Sequence, residues 1–194
     1  MIDEAVAALR AGRPVVLPTD TVYGLCADPS REEPALEVAR LKGREQRQPI
    51  ALLAGDVDQL LEHVPELDPV VLRALLPGPY TLILPNPERR YPWLGGGATI
   101  GVRVPDLPAV AAAVLDEVGA VLATSANLHG GTDPRRLEDV PETIRLAAGA
   151  VVDAGELPGT PSTVLDLTGP EPRVVREGAV PAAEALATVG GLRE

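Results

Sequence analysis

Proline constrains this chain more than any other residue. Its 21 copies, together with 19 glycines, fall between apolar runs and form no low-complexity tract, so the regular elements must be short. Ile2 to Ala11 reads as an amphipathic helix closed by Gly12. Pro14 to Pro18 reads as a buried strand, and Thr19 to Asp28 as a polar turn that re-enters apolar sequence at Tyr23. Helices are expected over Glu32 to Lys42, Asp56 to His63, Asp68 to Leu76, Leu107 to Val118, Leu137 to Ala147 and Pro181 to Val189. Strands are expected over Ile50 to Leu53, Tyr80 to Leu84, Thr99 to Val104, Val121 to Ala123, Val151-Val152, Val164 to Leu167 and Val174-Val175.

Irregular alternation of short strands with helices defines an α/β (α+β) fold, with a twisted mixed sheet and flanking helices. No internal repeat and no linker divides the sequence, so residues 1–194 are read as a single domain. With 45% hydrophobic residues but only 2% aromatic and no Phe, Val, Leu and Ala must fill the core. That composition disfavours an aromatic stacking platform for single-stranded nucleic acid.

Charge and cysteine usage narrow the function classes. The net charge of −11 repels phosphate backbones at long range. Cys26 is the only cysteine, which leaves no intrachain disulfide and no cysteine-based zinc site, as suits a reducing compartment. The acidic start has no signal-peptide pattern, and no apolar run approaches the roughly 18 residues of a membrane span. A cytoplasmic protein with no membrane association is expected. Of 17 cationic residues, Lys42 is the only lysine.

Several common sites are missing. There is no G-x-x-x-x-G-K-[ST] loop and no G-x-G-x-x-G, and His63 and His129 neighbour no plausible nucleophile. No His or carboxylate cluster has metal-ligand spacing, so no protein-held metal is expected. Polar clusters at strand ends remain. Thr19-Asp20-Thr21 follows the first strand, where ligands favour α/β sheets; the ordinary alternative is a turn capped by Asp20. Lys42-Gly-Arg44 ends a helix, where cations complement the macrodipole or clamp phosphate. In Thr99-Ile-Gly-Val-Arg103, alternation puts Thr99, Gly101 and Arg103 on one face, addressing one site or defending an edge strand. Thr124-Ser125-Ala126-Asn127, Pro161-Ser162-Thr163 and Arg176-Glu177-Gly178 add hydroxyls, an amide and a cation. Cations and hydroxyls without a base or a metal cage suit the positioning of phosphates and an anionic substrate.

In their order along the chain, P-T-D-T-V-Y-G-L, K-G-R, V-R-V-P, S-A-N, P-S-T-V and R-E-G resemble the YrdC/Sua5 family from about Val15 to Gly178. The resemblance implies a fold with a large, open concave cleft. It also implies synthesis of threonylcarbamoyl-AMP and pyrophosphate from L-threonine, bicarbonate or CO2, and ATP with Mg2+. The product would pass to a threonylcarbamoyl-transferase complex that modifies adenosine 37 of tRNA, with at most weak direct tRNA contact by this chain. By position, Lys42, Arg44, Thr99, Asn127, Arg135 and Arg176 would hold ATP, with Lys42 and Arg44 acting on the phosphates in catalysis. Thr21, Arg103, Ser125 and Ser162 would hold threonine, and Tyr23 would form the pocket wall. The sequence departs from the family pattern at Glu45, Gln48 and Leu53. The shorter length matches the single-domain form of the family. The competing readings are an RNA-binding module without synthase activity, a carbamoyl-phosphate-dependent carbamoyl-adenylate enzyme and a non-catalytic paralogue, which the departures at Glu45 and Leu53 leave open.

Overall fold

The computed structural model describes residues 1–43 and 48–191. Seven helices and nine strands among these residues follow the order α1 (Ile2–Arg10), β1 (Val15–Pro18), β2 (Tyr23–Ala27), α2 (Glu32–Lys42), β3 (Ala51–Ala54), α3 (Val57–His63), α4 (Pro69–Leu75), β4 (Tyr80–Pro85), β5 (Thr99–Arg103), α5 (Ala109–Val118), β6 (Ala120–Ser125), α6 (Glu142–Ala147), β7 (Ala150–Val151), β8 (Thr163–Asp166), β9 (Arg173–Arg176) and α7 (Ala182–Gly190). Local chemistry sets many of the ends. Asp56 and Asp68 cap α3 and α4 by accepting from the amides of Gln59 and Val70. Gly43 ends α2 in the left-handed conformation at φ 63°.

The strands form one mixed sheet in the order β7-β1-β2-β6-β3-β5-β4-β8-β9. Pairs β1/β7, β3/β5 and β4/β8 are parallel, and the remaining neighbours are antiparallel. Strand alternation separates two faces. On one, Val16, Leu25, Leu52, Leu82, Val102, Leu122 and Leu165 pack with residues of α2, α3, α4, α6 and α7. On the other, Val15, Leu17, Cys26, Leu53 and Val121 form a cluster to which, among the described helices, α1 and α5 contribute. Those two helices leave the β5-β4-β8 part of their face uncovered.

Three expectations are corrected. The stretch read as a polar turn from Thr19 to Asp28 contains β2, which hairpins onto β1 with Pro18 opposite Tyr23. Gly24 obscured it, yet all five of its residues are buried between β1 and β6. The helix expected over Leu137 to Ala147 is a 3₁₀ turn at Leu137–Asp139 followed by α6. Pro141 divides them because it lacks an amide proton and starts a helix more readily than it continues one. The strand expected to stop at Ala123 runs to Ser125, so Thr124 and Ser125 are strand residues opposite Leu25 and Gly24.

No described helix is long and apolar enough to cross a membrane. Leu122 is fully buried in β6 between β2 and β3. Leu122→Ala should cost about 2–5 kcal/mol in urea unfolding, because the paired strands on both sides cannot collapse into the void. Cys26 is buried and its thiol is pushed up to about 12 by desolvation. Alkylation by iodoacetamide at pH 8 should therefore fail on the native protein and proceed in denaturant, as mass spectrometry can read.

Candidate functional site

The uncovered part of the sheet carries a cavity of about 270 Å³. Its floor comes from residues that point away from the larger core: Ala51 of β3, Thr81 and Ile83 of β4, Gly101 and Arg103 of β5, and Val164 of β8. β5 lies between β3 and β4, so Arg103 is on an interior strand and does not defend an edge. Thr99, Gly101 and Arg103 all face the cavity, as their alternation requires. A Cβ at Gly101 would meet Ala51 and Thr81 only at ordinary contact distances of 3.7–3.8 Å, so glycine here keeps cavity space open.

Arg103 is held from the turn after β1. Its Nη2 donates to Asp20 Oδ1 at 2.8 Å and lies 3.4 Å from Thr21 Oγ1. The side chains of Arg103 and Asp20 are 11% and 9% exposed, so this is a buried ion pair. Burial pushes the Asp20 carboxyl up against the pull of Arg103, and burial lowers Arg103, which remains a cation. The turn is not capped by Asp20, as the ordinary reading had it. The Thr19 hydroxyl does that work, donating to Val22 O at 2.7 Å and accepting from the amides of Thr21 and Val22.

Two motifs at neighbouring strands, 14 residues apart in sequence, form one wall. Arg176 Nη2 donates to Ser162 O at 2.8 Å, and Ser162 Oγ is bonded to Thr81 Oγ1 at 2.8 Å. Thr163 faces away and fastens the segment after β9, its hydroxyl donating to Val180 O and accepting from the amides of Gly178 and Val180. A Cβ at Gly178 would lie 2.2 Å from Pro161 O, so only glycine permits this approach of backbones. Thr81 was missed by sequence reasoning. Its signal was the polar residue alternating with Tyr80, Leu82 and Leu84.

Lys42 is buried at the end of α2 and does not line the cavity. Its ammonium donates to Ser125 O, to Asn127 O at 2.9 Å and to Asn127 Oδ1 at 2.7 Å. Asn127 Oδ1 also accepts from Ser125 Oγ, and Asn127 Nδ2 donates to Gly131 O. Lys42 and Asn127 thus lie behind Ser125, which does reach the cavity along with Asp133, Arg90 and Thr99. Thr99 is fixed by a tight turn, its hydroxyl donating to Gly96 O at 3.0 Å. Arg135 stands outside the cavity lining, paired with Glu156 at 2.9 Å. Tyr23 does not form a pocket wall as expected. It is fully buried, and its hydroxyl accepts from the amide of Ala154 and is shared between Asp153 Oδ1 and Gly155 O. Desolvation pushes it up to about 12, so it serves as a neutral brace for the 153–155 segment. Arg44 and Glu45 lie outside the described residues. Leu53 is buried against α1 and α5. Among the described residues no group of three or more His, Cys, Asp or Glu could hold a metal ion.

The site is thus a cavity on one face of a mixed nine-stranded sheet, where Arg90, Arg103, Arg176 and several hydroxyls stand among apolar strand residues, an arrangement suited to anionic ligands. The family model described as Sua5/YciO/YrdC, telomere recombination, matches residues 7–178. A putative threonylcarbamoyl-AMP synthase of Mycobacterium tuberculosis is 34% identical over 98% of this chain and 89% of its own length. The threonylcarbamoyl-AMP synthase of Stenotrophomonas maltophilia is 39% identical over 76% of this chain and 83% of its own length. The crystal structure of P. abyssi Sua5 complexed with L-threonine superposes with a TM-score of 0.88 at 31% identity, covering 97% of this chain and 57% of that one. The chain therefore spans little more than half of the archaeal protein. This chain belongs to the Sua5/YciO/YrdC family.

The three carbonyl acceptors around Lys42 generate a prediction. Lys42→Met leaves them without their shared donor and should lower unfolding free energy by about 2–4 kcal/mol in urea titration. Lys42→Arg should recover less than half of that, because a planar fork cannot converge on the same three oxygens as a compact ammonium.

Proposed function

We propose that this protein is an L-threonylcarbamoyladenylate synthase, a nucleotidyltransferase that serves tRNA threonylcarbamoyladenosine formation. The observation that carries the reading is the gathering of Thr21, Arg103, Ser125, Ser162 and Arg176 around one cavity. This occurs in a chain whose relatives are named for that synthesis and whose solved neighbour is described as complexed with L-threonine.

The chemistry follows from the residues. Arg103 takes the threonine carboxylate, and the hydroxyls of Thr21, Ser125 and Ser162 orient the amine and side chain. The free amine adds to CO2, forming a C–N bond and releasing a proton to solvent. One carbamate oxygen then attacks the α-phosphorus of ATP in line, and the bond from that phosphorus to the bridging oxygen breaks. Pyrophosphate leaves with the bond's electron pair. Arg176 and Thr99 approach the phosphates directly. Lys42 and Asn127 act from behind Ser125 by fixing the loop on which the nucleotide rests. Arg44 and Arg135 are proposed as further ATP contacts, Arg135 by exchanging Glu156 for phosphate. Mg2+ enters on the phosphate oxygens of the nucleotide as part of the substrate, in keeping with the donor set of the cavity, which is poor in carboxylates. A fixed array of cations and hydroxyls suits this reaction because charge moves onto phosphate oxygens in the transition state.

The product goes to a separate transferase that acts on tRNA, residues 1–194 form one domain, and the protein works in the cytoplasm. Such a chain, at net charge −11, contributes little direct affinity for tRNA.

The test is pyrophosphate release by the purified protein with L-threonine, bicarbonate and Mg-ATP, followed by a coupled phosphate assay. Release should require all three, and the adenylate should appear in mass spectra. Release without threonine, or none under any combination, would overturn the assignment.

A further inference from the structure

Asp20 has a bonding pattern that stability does not account for. Removing two charges from water is costly, and a buried pair often fails to return that cost through its own attraction. The contact is also one-sided. A guanidinium and a carboxylate can form two parallel bonds, yet only Arg103 Nη2 meets Asp20, through Oδ1 at 2.8 Å. Asp20 Oδ2 and Arg103 Nε have no hydrogen-bond partner among the described residues. Asp20 is not needed to close its own turn, since Thr19 does so. Arg103, for its part, ends β5 on a backbone paired with Leu53 of β3 and follows Val102, which is paired with Leu82 of β4, so its freedom lies chiefly in its long side chain.

We infer that Asp20 is a positioning residue, which pins one corner of the Arg103 guanidinium so that the rest of the fork meets the carboxylate of the amino-acid substrate. The inference rests on the reading of Arg103 as the carboxylate anchor. An unpinned arginine would sample several rotamers and lose that freedom on binding, which weakens the complex. Pinned, it presents a preorganised fork. The negative charge of Asp20 also keeps an incoming carboxylate away from the paired corner, so the anion can approach only from the cavity side. The pair therefore confers selectivity for an α-amino acid over the same molecule reduced to an amino alcohol. No bond to substrate is made or broken by Asp20.

The experiment compares L-threonine with L-threoninol by titration calorimetry, in the wild-type protein and in Asp20→Asn and Asp20→Glu. Wild type should prefer threonine by at least roughly tenfold, as a single charge-assisted contact allows. Asp20→Asn removes the charge and should erase most of that preference while ATP affinity stays near wild type. Asp20→Glu keeps the charge but adds a methylene, displacing the guanidinium. Its preference should fall roughly threefold or more with an unchanged melting temperature. A purely structural ion pair would not produce that split, because Glu still neutralises Arg103. Wild-type preference in either folded variant overturns the inference, and if Asp20→Asn does not fold, Asp20→Glu decides alone. Failure of the underlying reading appears elsewhere, as a wild-type protein that does not distinguish threonine from threoninol.

Discussion

One face of the sheet is larger than the helices that cover it. Five helices pack against the face that carries Leu52, Leu82 and Leu165, whereas α1 and α5 alone serve the other. They close over β7, β1, β2 and the start of β6, and the surface over β5, β4 and β8 stays open. An uncovered sheet surface of apolar residues would invite association. Here the same positions carry Thr81, Thr99, Gly101 and Arg103 among Ala51, Ile83 and Val164, so polar groups interrupt the apolar surface, and the cavity is a consequence of the fold's layering. Thr81, Thr99, Arg103, Ser125 and Arg176 are therefore mounted on strands locked by neighbours, which fixes them more closely than a loop could, while Thr21 and Ser162 stand in segments that adjoin strands.

The charges of this protein divide into two populations. Pairs such as Arg40–Glu37, Arg73–Asp58 and Arg136–Glu156 lie at the surface and add little to stability. Glu37 and Glu156 are held below the usual carboxylate range by their arginine partners, which marks local pairing and no more. Arg103 and Lys42 differ because each is buried and met by fixed oxygens. An acidic protein can thus attract a small anion to this cavity through cations whose neighbours orient them, while its net charge repels extended polyanions.

Several motifs prove to be halves of the same construction. P-S-T and R-E-G meet through Arg176 on Ser162 and through Thr163 on the 178–180 segment, an approach that Gly178 alone permits. K-G-R and S-A-N meet through the Lys42 ammonium, and His129 donates its amide to Lys42 O from the following loop. P-T-D-T and V-R-V-P meet through Asp20 and Arg103. Each partnership joins two separate elements of the fold, and each brings at least one residue to the cavity.

Sequence alone determined the existence of most elements, because Pro and Gly interrupt the chain at their ends and apolar periodicity survives between those breaks. It determined that Thr99, Gly101 and Arg103 share a face, since strand alternation is a local property. The ordered motifs also carried the family. β2 was obscured because Gly24 and the polar residues before Tyr23 mimic a turn, and only pairing with β1 and β6 makes that segment a strand. The division of labour within each motif was decided by tertiary structure. Tyr23 and Thr163 look like ligands in sequence, yet they brace the backbone, and the Lys42 ammonium meets carbonyls of the fold, while Thr81 looks like an ordinary strand residue and reaches the cavity. The reason is physical: a hydroxyl or an ammonium has the same chemistry wherever it stands, and only the packing of distant strands decides whether its partner is a carbonyl of the fold or open space.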